Sequence, residues 1–161
     1  MKTNYFKFEH FGRRQAGLWL GALLAVVVLG AGPARASERW ETLEAIHRIE
    51  NPHDSPKPGR FGELGAYQFR EMTWRMHTQV PFSMALDRRI SDQVAITHYE
   101  WLKRRLECNG LAATPYNIAM AWNAGAQAVV RGRIPAATRR YAERAENIVG
   151  ELRRRQQVAR K

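Results

Sequence analysis

The sequence predicts a mainly α-helical domain, and three observations predict it. Apolar residues recur at spacings of three and four in successive segments, most clearly at Ala95, Tyr99, Leu102 and Leu106. No strand-like alternation of useful length is present. Ser, Thr, Pro and Gly stand where helices would open and close, as at Thr114-Pro115 and Asn109-Gly110.

The first helix is expected from a capping Ser37 to about Glu50, with Trp40, Leu43, Ile46 and Ile49 forming its apolar stripe. Glu50 ends that stripe. A carboxyl group partly withdrawn from water resists ionisation and holds a proton near neutral pH, which makes Glu50 a candidate general acid. Residues 51–59, Asn-Pro-His-Asp-Ser-Pro-Lys-Pro-Gly, cannot continue a helix, and the loop they begin runs to Gly65. Residues 66–76 read as a second helix, with Phe69, Met72 and Met76 on one side and Trp74 beside them. Pro81 and Ser83 suggest a short helix to Leu86.

The clearest long helix begins at residues 88–92, and Val94, His98 and Trp101 widen its stripe. Thr114-Pro115 opens the next helix with a cap hydroxyl and a proline whose missing N–H does no harm there. Residues 116–124 are apolar on nearly every face, so this helix is expected at the centre, ended by Gly125. A short helix over residues 126–131 and a terminal one from Thr138 to Leu152 complete the set, the latter with Tyr141, Ala145, Ile148 and Leu152 inward. Residues 153–161, mostly Arg, Gln and Lys, read as a basic tail.

The 161 residues suit one domain behind a leader. Lys2, Lys7, Arg13 and Arg14 precede an apolar run from Leu18 to about Gly32, and Ala34-Arg35-Ala36 offers a small-x-small cleavage site. Residues 1–36 therefore read as a secretory signal peptide, with residues 37–152 as the domain. The run is shorter than the roughly 20 residues of a spanning helix, which disfavours an uncleaved anchor. Removing the leader lowers the formal net charge from +11 to +7, still suited to anionic surfaces such as cell-wall polymers, lipid head groups or nucleic acid, among which charge alone does not choose. The single cysteine, Cys108, excludes an internal disulfide and is expected in the core, near a helix end.

An ordered set of short motifs carries more information than any one of them. Ile49-Glu50, then Gly65-Ala66-Tyr67-Gln68-Phe69, then residues 119–125 (Ala-Met-Ala-Trp-Asn-Ala-Gly), then Tyr141-Ala142-Glu143-Arg144-Ala145, together resemble the lytic transglycosylase (SLT) branch of the lysozyme-like superfamily. The resemblance spans residues 40–148, nearly all of the expected domain. It implies a lysozyme-like helical fold and cleavage of the bond between N-acetylmuramic acid and N-acetylglucosamine in peptidoglycan. Glu50 would protonate the glycosidic oxygen, then accept the proton of the muramic C6 hydroxyl as that oxygen closes onto C1, leaving a 1,6-anhydro end. Gln68 and Asn123 correspond to polar residues of the sugar groove, and Tyr141 to one beside the catalytic glutamate. Tyr67 stands where a smaller or aliphatic residue is common, Trp122 replaces a tyrosine, and Asn51 stands where serine often follows the glutamate.

Read without the resemblance, glycoside hydrolysis asks for two carboxylates, and Asp54, Glu63, Asp87 and Asp92 are the candidates to partner Glu50. Asp54 has loop N–H groups to accept, and Asp92 suits the first turn of its helix. Buried amides at Gln68, Asn123 and Asn117 also serve as structural staples, and Trp74 and Trp101 as core. No His-Glu-x-x-His array, cysteine cluster, nucleophile elbow or phosphate loop occurs, so neither metal nor cofactor is expected, and His47 reads as a packing residue. The expected partner is a peptidoglycan glycan strand in the periplasm or outside the cell, with a secretion or cell-envelope complex as a further possibility. Nucleic acid is not expected, membrane contact is confined to the leader, and a monomer is anticipated. The competing functions are a hydrolysing lysozyme of the same fold, a non-catalytic peptidoglycan-binding scaffold and a basic nucleic-acid-binding domain.

Overall fold

The computed structural model describes residues 33–159, with side chains from Glu38 onward, so the expected leader lies almost wholly outside the described residues. Helix α1 spans Pro33–Glu50, α2 Glu71–Arg75, a 3-10 turn Phe82–Leu86, α3 Arg88–Glu107, α4 Pro115–Ala124, α5 Ala126–Val130 and α6 Ala136–Ala159. The chain is mainly helical, and among the described residues the only β pairing is an isolated antiparallel bridge between Leu64 and Phe69.

The apolar α4 is central, as its composition predicts. It packs on α6, α1 and α3, and buries Ile118, Ala119, Met120 and Ala121. Ile46 of α1, Leu102 and Leu106 of α3 and Val149 of α6 complete a fully enclosed apolar centre. Helix α6 also lies along α1, where Arg153 Nε donates to Glu41 Oε2 at 2.7 Å. The helix starts follow local chemistry. Asp87 caps α3 by accepting from the Ile90 N–H at 3.0 Å, and Thr114 Oγ1 caps α4 by accepting from Asn117 N–H at 3.2 Å, with Pro115 in the first turn.

Five expectations are corrected. Helix α1 starts at Pro33 and passes through Ser37, because Ala-Arg-Ala favours helix and lets it propagate backward from the predicted cap. Residues 66–69 form a turn instead of helix. Gln68 has φ +46 and its N–H bonds Gly65 O at 3.1 Å, and Leu64 and Phe69 exchange two backbone bonds of 3.0 Å. The helical period over Phe69, Met72 and Met76 is therefore misleading: Met72 and Met76 are 77% and 54% exposed, while Trp74 is wholly buried with its Nε1 on Val80 O at 2.8 Å. Helix α6 opens at Ala136, before Thr138, whose buried hydroxyl bonds α4 instead of capping. The same helix continues to Ala159, since an Arg- and Gln-rich sequence has good helix propensity. Finally, Cys108 is exposed, because it occupies the C-cap of α3 one residue beyond the packed helix.

An aromatic cluster fills the space between α2, α3 and α4. Trp122 lies 4.8 Å from His98 and 5.5 Å from Phe69 between ring centroids, and His98 stacks on Trp101 at 5.8 Å. His98 shares a 2.8 Å hydrogen bond with His77. Burial, reinforced by His77, drives the His98 pKa down from 6.5 to about 3. This makes the fold sensitive to acid. Below pH 6.5 the unfolded chain takes up a proton at His98 that the folded chain refuses until about pH 3, so this residue removes up to about 1.4 kcal/mol of stability per pH unit in that window. Urea unfolding at pH 7, 5 and 4 is expected to show that slope, and His98→Phe to flatten it.

Candidate active site

The end of α1 is held by the loop that follows it. Asn51, buried directly after Glu50, donates from Nδ2 to Ser55 O at 2.9 Å and to Gly65 O at 3.2 Å, while its Oδ1 accepts from Ser55 N–H at 2.9 Å. The Gly65 carbonyl also accepts from Gln68 Nε2 at 3.0 Å. Residues 51–68 are thus fastened beside Glu50 from both ends. The sequence signal for this was an Asn preceding a proline-rich loop, a side chain that readily replaces backbone partners in turns.

Across from this loop, α6 brings Tyr141 to Glu50. The Tyr141 hydroxyl donates to Glu50 Oε1 at 2.8 Å over a separation of 91 residues. Burial raises the Glu50 pKa above 4.5, the Tyr141 hydrogen bond partly opposes this, and the nearby charge of Glu63 adds to the rise. Burial likewise pushes the Tyr141 phenol well above its usual value, helped by the charge and hydrogen bond of Glu50. Tyr141 therefore stays a hydrogen-bond donor, and Glu50 is a carboxyl group biased toward its protonated form.

The other sequence-predicted residues divide. Gln68 sits in the fastened loop, half-buried, with its Oε1 beside Gly59. Asn123, exposed at the end of α4, accepts from Thr138 Oγ1 at 2.7 Å, tying α4 to α6 near Tyr141 in the chain. Tyr67 turns its hydroxyl to α3. It is 3% exposed, its hydroxyl donates to Asp92 Oδ1 at 2.7 Å, and the Arg88 guanidinium lies 5.7 Å from its ring centroid. These residues line a separate cavity of about 230 Å³ with Arg39, Trp40 and Ile96. The Tyr67 ring also lies 5.9 Å from that of Trp122 on α4 between centroids, and burial with the Asp92 bond pushes its phenol far above 10.

The four candidate partner carboxylates divide in the same way. Asp54 bonds His47 Nε2 at 3.0 Å, Asp87 caps α3, and Asp92 is held by Arg88 Nε at 2.8 Å as well as by Tyr67. Glu63 is the one whose charge acts on Glu50. Among the described residues, no three His, Cys, Asp or Glu side chains are grouped to hold a metal ion. The arrangement that remains is a carboxyl whose pKa is raised by burial, a phenol that donates to it and a polar loop fastened to the neighbouring Asn51, a setting suited to exchanging a proton. No family model, curated protein or solved structure matches the chain.

Proposed function

We propose that the protein is an exported peptidoglycan lytic transglycosylase of lysozyme-like fold, cleaving the N-acetylmuramic acid–N-acetylglucosamine bond with Glu50 as general acid and then base. The observation that carries the reading is the 2.8 Å bond from Tyr141 to a Glu50 whose pKa is raised by burial, made between the two outermost of the sequence motifs. A protonated carboxyl in a partly dry site gives its proton to the leaving oxygen. Once ionised, it keeps the Tyr141 donor, and it is a base for the C6 hydroxyl of the same sugar, so that no water enters. Gln68, in the loop fastened to Asn51, and Asn123, at the end of α4, are the amides assigned to the acetamido and hydroxyl groups of the glycan. The positive net charge suits an anionic polymer, and the leader suits delivery to it.

The test uses purified sacculi and mass spectrometry of the released muropeptides. Products lighter by one water than the matching reducing sugars are expected. Reducing ends would replace the transglycosylase reading with a hydrolysing lysozyme, and absence of release by folded, sacculus-bound protein would favour a scaffold.

A further inference from the structure

Helix α1 leaves its one indole half outside the core. Trp40 begins the apolar stripe of that helix, yet it is 51% exposed, and Ile96 of α3 is 38% exposed on the same cavity of about 230 Å³. Leu43 follows Trp40 by three residues on α1, and Asp92 and Ile96 follow Arg88 at steps of four on α3, so each helix turns one face to the cavity. Buried Tyr67 joins them from the loop.

The polar lining is held in place by its own bonds. Arg88 Nε donates to Asp92 Oδ1 at 2.8 Å, the Tyr67 hydroxyl donates to the same oxygen at 2.7 Å, and Arg88 Nη2 lies 3.9 Å from Glu44 Oε2. Arg39 Nη1 donates to Glu100 Oε1 at 2.8 Å. These bonds fall on one oxygen of Asp92 and one nitrogen of Arg39, which leaves Asp92 Oδ2 as an acceptor and Arg39 Nε and Nη2 as donors. Two guanidinium groups and two carboxylates line the cavity, so an ion of either sign meets its own charge there as well as the opposite one. The lining fits a neutral ligand that carries donors and acceptors around its edge and an apolar face for the indole. A pyranose ring has that chemistry, with C–H bonds on its face and hydroxyl or acetamido groups around it. The volume lies below the about 300–1,000 Å³ that holds a drug-sized ligand, and is suited to one sugar ring.

We propose that this cavity is a second saccharide site, in which Trp40 stacks on one N-acetylated sugar of a glycan strand while Asp92 and Arg39 bond its edge groups. The choice of a glycan among neutral ligands rests on the peptidoglycan reading above. Trp40 and Glu50 share α1 and stand about 15 Å apart along its axis, so the sugar held on Trp40 is not the one whose bond breaks. A strand gripped at both places is retained longer with no new contact at the reacting sugar. The site therefore acts on retention of the polymer and leaves the chemistry on short pieces unchanged.

Full-length protein is titrated with N,N′-diacetylchitobiose while the NMR signals of the Trp40 indole N–H and the Ile96 methyl are followed, and wild type, Trp40→Ala and Trp40→Phe are compared for retention on sacculi and for cleavage of short soluble muropeptide oligomers. Both signals are expected to shift in the wild type. Trp40→Ala is expected to lose the Ile96 shift and to weaken retention roughly tenfold, as loss of an anchoring indole does, with an unchanged rate on the short oligomers; Trp40→Phe restores part of the retention. Since Trp40 is half exposed, both variants should melt near the wild-type temperature. Unmoved Trp40 and Ile96 signals in the wild type overturn the inference without recourse to any variant, and so does undiminished retention of folded Trp40→Ala; either result leaves the glycosidase reading standing. A concentration-dependent dimer that Trp40→Ala dissociates would give the cavity to a second copy of the chain, and likewise overturns it. Wild-type protein that shifts both signals and cleaves nothing removes the glycosidase reading and keeps the saccharide site.

Discussion

Glu50→Gln is expected to lower peptidoglycan cleavage by roughly a thousandfold, within the range that a lost general acid–base group accounts for. The change is nearly isosteric. A glutamine at this position still accepts from the Tyr141 hydroxyl, so the geometry between α1 and α6 survives while the transferable proton is gone. Stability should move the opposite way. Because the folded Glu50 pKa lies above its unfolded value, the unfolded chain ionises first as pH rises beyond 4.5, and the native state loses stability up to the raised value. Above that point the penalty persists, and Gln removes it. The variant should therefore melt at or above the wild-type temperature at neutral pH while sacculus binding is retained. Full cleavage by this variant would sink the role assigned to Glu50; cleavage lost together with folding would show the residue to be structural.

Gly65→Ala should have the largest effect on stability. A Cβ at this position would stand 1.8 Å from the Ala85 carbonyl oxygen and 2.7 Å from its carbon, both backbone atoms with no rotamer to escape into. The residue also has φ +77, which disfavours any side chain by about 1–2 kcal/mol. Overpacking adds about 1–3 kcal/mol, so about 2–5 kcal/mol in total is at stake, against the roughly 5–15 kcal/mol that holds a typical domain. Its carbonyl is the shared acceptor of Asn51 and Gln68, so partial relief by backbone movement would also loosen the site. Gly62→Ala is the control. That residue has φ +79 but open space around its Cβ position, and it should cost only the conformational part. Urea denaturation of the two variants separates clash from dihedral strain, and equal midpoints would refute the claimed contact.

Helices were legible where sequence and environment agreed. The period of α3 announced Ala95, Leu102 and Leu106 as buried, and Thr114-Pro115 announced the start of α4. The misread segment, residues 66–76, shows why period alone misleads. Phe69 and Trp74 enter the core from a turn and a five-residue helix, and Met72 and Met76 kept a helical spacing while facing solvent. A left-handed Gln68 has no signature that propensity can detect. In the site, Glu50 and Tyr141 were visible as motif residues and their proximity as what the resemblance implies; local pattern alone could not pair them, since that is decided by how α6 lies on α1. Tyr67 carried the motif's neighbourhood without its environment, because its ring is drawn to Arg88 and Asp92 on α3.

The sequence distance between Glu50 and Tyr141 also orders events in time. A chain that has formed α1 and its loop but has not yet docked α6 exposes Glu50 to water, where an ordinary glutamate near neutral pH has already lost its proton. The buried Glu50–Tyr141 pair comes into being only when the last helix closes. An incompletely synthesised polypeptide therefore lacks the Tyr141 bond to this carboxyl, and any fragment ending before residue 141 lacks it permanently.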